Sequence, residues 1–176
     1  TTLLRKFISY KIFIINKNLH ILGVNKMAGS KSNYLENKIL NYMLGGTAYT
    51  VPTTVWLGLW CSADTTGALG INDGSTGSAA GEIDTSGTGY TRVSVANDTT
   101  TTWGIATTDG TRRNAISITF PTALDNWGSD AVDQVAILDA SSGGNILYWA
   151  DLSVAKTITA GDTAKFDIGD IVITED

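Results

Sequence analysis

The chain has 176 residues, enough for one sizeable core and short for two. Hydrophobic residues make up 43% of it and charged residues only 16%, below the ~25% of an average globular protein, with nineteen Gly. Five Trp and six Tyr supply buried area and argue against disorder, and a single cysteine excludes an intrachain disulfide.

The net charge of −5 hides an asymmetry. Residues 1–26 carry Arg5, Lys6, Lys11, Lys17 and Lys26 and no acid. The rest holds seven basic against seventeen acidic groups, a net of −10. A body this acidic repels phosphate backbones, and it shows no basic stripe, so nucleic acid is not an expected partner.

Thr1–Lys26 also differs in composition. Its apolar run Ile12-Phe13-Ile14-Ile15 is short, is flanked by Lys and Asn, and lacks a small-residue cleavage site, which speaks against a signal peptide. It falls short of the ~18 uninterrupted apolar residues that a membrane span needs, so no membrane is expected as a partner. A basic amphipathic surface helix is a further reading. Met27 opens a fresh composition, Met-Ala-Gly-Ser, that resembles a native start. Two readings remain ahead of the others: a translated upstream stretch, or an arm that reaches a neighbouring subunit. Residues 27–176 read as one β-domain.

Ser30–Leu44 reads as a helix. Asn33 is the expected cap, with Glu36 three residues on as in a capping box. Leu35, Ile39, Tyr42 and Met43 share one face at helical spacing, and Gly45-Gly46 supplies a left-handed stop.

The period then changes. Thr53–Cys61 is a strand apolar on both faces, and Gly58 within it signals a bulge or a close approach. Cys61 reads as a small buried hydrophobe. Ser62–Gly89 is long, polar and holds seven Gly; loops of that length are commonly functional. Tyr90–Val95 restores strand alternation. Asn97–Arg113 is polar again, with Trp103 inside it and an Asp109-Gly110 turn signal. Asn114–Phe120 alternates up to Pro121. Ala131–Leu138 and Asn145–Leu152 make a hairpin across a Ser/Gly turn, and Thr163–Thr174 gives one or two last strands. The pattern predicts an all-β fold: an antiparallel β-sandwich, jelly-roll-like, with one short N-terminal α-helix. No βαβ alternation appears.

Reactive chemistry is sparse. The only histidine, His20, lies in the leader, so the body holds neither a Ser-His-Asp nor a Cys-His site, nor a zinc site of His and Cys. The Gly-rich stretch lacks the Lys-Ser/Thr of a phosphate-binding loop. Glu82 and Asp84 are the closest to an acid pair, though loop acids more often form turns and caps. Asp64, Asp73, Glu82 and Asp84 are oxygen donors of the kind calcium takes, without the spacing of a calcium loop. No catalytic residue, metal or cofactor is therefore expected, and the chain reads as not an enzyme.

Among the tryptophans, Trp56, Trp60 and Trp149 sit in strands and read as core. Trp103 and Trp127 sit in polar segments and read as outward-facing, either for packing between subunits or for stacking on glycans. With Leu35, Ile39 and Tyr42 on the helix, they form the expected interface set.

From Met27 onward the pieces also match a known group. The helix ending Leu44-Gly45-Gly46-Thr47-Ala48-Tyr49 is followed by Val51-Pro52-Thr53-Thr54-Val55-Trp56-Leu57-Gly58-Leu59. Then come Gly89-Tyr90-Thr91-Arg92, Phe120-Pro121-Thr122-Ala123 with Trp127-Gly128, and Gly143-Gly144-Asn145-Ile146-Leu147-Tyr148-Trp149-Ala150-Asp151-Leu152 running into Lys156-Thr157-Ile158-Thr159-Ala160-Gly161-Asp162. In this order they resemble a family of small tailed-phage virion proteins, tail-fibre-like or capsid-decorating. The resemblance implies a compact β-domain in the virion, without enzyme activity or cofactor. The expected role is capsid decoration or cement, with a tail fibre or tail-associated protein as the alternative and a carbohydrate-binding sandwich for host adsorption as another. The expected partners are further copies of the chain, in a ring such as a trimer, and other virion proteins such as the major capsid protein.

Overall fold

Alternation of β-branched and aromatic residues with small polar ones dominates the chain after residue 50, and it folds accordingly. The computed structural model describes residues 31–64, 81–105 and 110–175, and residues 19–21 by their backbone. In chain order the elements are β1 (Leu19–Ile21), α1 (Asn33–Gly45), β2 (Thr54–Trp60), a 3-10 turn (Ser62–Asp64), β3 (Val93–Ala96), β4 (Thr111–Arg113), β5 (Ile118–Thr122), β6 (Val132–Leu138), β7 (Ile146–Lys156), β8 (Thr163–Phe166) and β9 (Val172–Thr174).

The strands form three sheets, ordered β3-β2-β6-β7, β1-β8-β5 and β4-β9. Pairing is antiparallel except between β1 and β8. The expected antiparallel all-β fold with one short helix is what forms. The predicted hairpin is β6–β7, and Asp139 closes its turn by accepting from the Asn145 backbone (2.6 Å) and side-chain amide (2.7 Å).

Period-2 patterning decides what the large sheet buries. Val55, Leu57 and Leu59 of β2 point inward with Val135 and Ile137 of β6 and Ala150 and Leu152 of β7. They share one core with Ile118 and Phe120 of β5 and Ala164 and Phe166 of β8, so the two larger sheets pack face to face. Tyr90 stands at its centre, edge-on to Trp127 (centroids 5.3 Å) and stacked on Phe120 (6.2 Å). Its hydroxyl accepts from Leu59 N–H at 2.8 Å and donates to Glu82 at 3.2 Å. A smaller cluster of Trp60, Ala136, Leu138 and Ile146, flanked by Trp149, covers the outer face of the large sheet. That is why β2 reads as apolar on both sides.

Three local readings differ from the expectation, and a fourth is met in one of its two forms. The helix cap is Ser32, not Asn33: Ser32 Oγ accepts from Leu35 N–H (3.2 Å) and donates to the Ile146 carbonyl, and Gly46 closes the helix at φ 69°. Gly58 meets the second of its two expected forms: it carries no bulge, and the Trp60 ring lies close over it, where an added Cβ would come within 2.8 Å. β5 runs through Pro121 to Thr122, because its register against β8 shifts between Thr119 and Thr122 and no ladder bond is asked of the proline. β4, inside the stretch expected to be loop, pairs with β9 through Thr111↔Thr174 to Arg113↔Val172. Much of the Gly-rich segment, residues 65–80, lies outside the described residues, as does most of the leader.

Candidate interaction surface

The helix attaches to the sheets by its first turn. Ser32 bonds to β7, donating its backbone N–H to the Leu147 carbonyl (3.0 Å), and Leu35 is inserted beside the core. Beyond that turn the described fold covers little of it apart from Ile39 at the edge of a groove. Ile39 is 36% exposed, Leu40 55%, Tyr42 58%, Met43 70% and Leu44 85%. Apolar side chains at 39, 40, 42, 43 and 44 go more than halfway round a helix, so they cannot all meet one sheet.

Between α1, the extended segment from Tyr49 to Val55 and the β4–β9 ribbon lies a groove of about 450 Å³. Leu35, Ile39, Val51, Trp103, Tyr148 and Ile173 are among its walls. Its polar edge is made by Asn97, Arg112 and Glu175. There the Lys31 ammonium pairs with Glu175, which also accepts from the Tyr148 hydroxyl at 3.0 Å. Burial, and then the Glu175 carboxylate, push the Tyr148 hydroxyl well above its ordinary pKa, so it stays a neutral donor.

Of the expected interface set, Leu35, Ile39 and Tyr42 lie on or beside this face. The two tryptophans do not face outward. Trp127 is fully buried, its indole N–H donating to the Thr88 carbonyl at 3.0 Å. Trp103 is 3% exposed and sits inside the groove wall. Their polar flanks are turns that turn the ring inward. Asp98, for example, caps the turn before Trp103 by accepting from Thr100, Thr101 and Thr102 N–H. A glycan-stacking platform built on these two rings is thereby removed. Leu40, Met43, Leu44 and Val51 were absent from the expected set; the signal for them is the run Ile39-Leu40-Asn41-Tyr42-Met43-Leu44, too apolar for a helix with one wet face.

The acids considered for chemistry are occupied. Glu82 holds the Arg92 guanidinium through two bonds (2.6 and 2.7 Å), and the same guanidinium donates to the Ala140 and Gly143 carbonyls. They wall a second, polar hollow of about 330 Å³ with Ser141 and Ser142. Asp84 accepts from Ser86 N–H at 2.8 Å, forming a turn, and Asp64 accepts from Ser129. Asp73 lies outside the described residues. Among the described residues no group of three or more His, Cys, Asp or Glu is placed to hold a metal ion, and no helix is long and apolar enough to cross a membrane. Cys61 is buried, as expected.

The molecule is thus a packed β-sandwich whose ion pairs tie its loops and whose helix leaves a run of apolar side chains exposed. Residues 30–174 match the family model described as podophage GP4 fiber I protein gp80. With most of its length matched, the chain belongs to this family of phage fibre proteins and is a structural component of the virion. No curated protein matches it.

Proposed function

We propose that the protein is a non-enzymatic, tail-associated fibre component of a phage particle, acting through surface contacts of its β-domain with its own copies and with other virion proteins. The family match over residues 30–174 carries this reading, because the family is described by a fibre protein. It favours the tail over the capsid-decoration role that the sequence first suggested. The occupied carboxylates support the absence of catalysis: Glu82, Asp84 and Asp64 each have a turn or an ion pair to hold. A fibre component needs a rigid sheet framework and a contact face, and the structure offers the groove and the bare helix for the second.

Cryo-electron microscopy of the intact particle tests the reading. Density fitting this fold on the tail is the expected result. The same density repeating over the capsid lattice would overturn the tail assignment in favour of decoration.

A further inference from the structure

We propose that the exposed face of α1 and the adjoining groove form a self-association surface whose occupant is a second copy of this chain. The inference deepens the assembly role proposed above by naming the surface and the partner.

The area comes first. Ile39, Leu40, Tyr42, Met43, Leu44 and Val51 are all exposed large hydrophobics. Weighted by exposure they leave on the order of 600 Å² of mainly apolar surface, at the upper end of a single patch on a monomer and close to the ~800 Å² per partner of a standard interface.

Continuity is the second point. Ile39 and Val51 belong both to this patch and to the wall of the groove. Protruding side chains and a receiving hollow therefore lie side by side on one chain, as a self-complementary contact requires.

Charge selects the partner. Residues 39–63 contain no Asp, Glu, Lys or Arg, whereas residues 27–176 carry a net of −10. Two copies meeting over the acidic remainder face like charge; meeting here, they bury the uncharged stretch, with Arg112 and the Lys31–Glu175 pair only at the groove's edge.

Helix energetics agree. A 13-residue helix is marginal in water, and Leu35 is its one buried residue. A copy packed on the other side supplies what the sheet does not.

Sedimentation of the full chain at micromolar concentration tests this, independently of where the protein sits in the particle. The expected mass is at least twice 18.6 kDa. The double variant Met43→Lys, Leu44→Lys is expected at 18.6 kDa with the β-sheet signal of its circular dichroism spectrum retained, since both side chains lie outside the core. In a second experiment Leu44→Cys should give a disulfide-linked dimer on mild oxidation, and Asp125→Cys should not; the native Cys61 is buried and does not interfere. A wild-type chain that stays at 18.6 kDa without cross-linking through Leu44→Cys would overturn the proposal, and so would a double lysine variant that keeps the oligomer.

Discussion

Several side chains hold more than their neighbourhoods in sequence suggest. Gly58 is the position where the Trp60 ring lies against the backbone of β2, and the Tyr90 hydroxyl is 3.2 Å from where a Cβ would stand. Trp60 is fully buried and has no room to withdraw. Gly58→Ala should therefore cost about 1–3 kcal/mol despite the better strand propensity of alanine, read as a lower urea midpoint. Arg92 is a second such residue: its side chain is 3% exposed, and Glu82 is its counter-ion. Glu82→Ala leaves that guanidinium buried against two carbonyls, and a loss of about 2–3 kcal/mol is expected in the same assay. Asp98 works through pH. The Thr101 amide and hydroxyl, then the Thr102 amide, hold its carboxyl down to about 2 from the ordinary 3.8. A depressed carboxylate contributes stability that is fully present above the ordinary value and lost as pH falls toward the folded value. The melting-temperature gap between wild type and Asp98→Ala should be constant above pH ~4 and close as pH approaches ~2. A gap that persists unchanged at the acid end would remove the carboxylate from the account.

Among the elements, α1 is the least secured. Its hold on the sheets is the Ser32 cap, with bonds to β7 at both its backbone and its hydroxyl, the Leu35 side chain and the partly buried Tyr34. Ser32→Ala should cost about 1–2 kcal/mol, since it removes the cap and leaves the Ile146 carbonyl short of a donor. The loss should be local: hydrogen exchange at the amides of residues 36–45 should quicken while those of β6 and β7 keep their protection. Equal loss in helix and hairpin would mean that α1 is a part of the cooperative core. The β6–β7 hairpin is the opposite case. It is long and continuous with β2 through Trp56↔Leu138 to Trp60↔Gln134, and its β6 strand is buried on both faces by the main and the smaller cluster. The groove lies where the weakly held element meets this strongly held one.

For the molecule as a whole, the buried hydrophobic core spans Leu35 to Val172, and the family match starts at residue 30. The leader touches the described fold through β1, three residues paired in parallel with Thr163–Lys165. A chain started at Met27 is expected to unfold in one cooperative step, with stability within about 1–2 kcal/mol of the full chain, because deleting β1 removes one short edge pairing and no described core side chain. Failure to fold would make the leader a part of the domain.

The strand pattern, the one short helix and the hairpin were legible in the sequence, because each rests on neighbours a few residues apart: alternation in strands, the glycine stop after Leu44, the Ser/Gly turn after Leu138. The pairing of β4 with β9 was not legible, since it joins residues about sixty positions apart across a polar stretch. Nor was the burial of Trp103 and Trp127, whose polar flanks are turn formers and whose rings are drawn inward by partners such as Tyr90 and the Thr88 carbonyl. The exposed helix was half legible. Its apolar run is plain in the sequence, but whether a second sheet face exists to cover it is a question of topology. Local chemistry thus determined which elements form; only the tertiary arrangement decided which apolar surface was left over, because burial depends on contacts that no short stretch of chain contains.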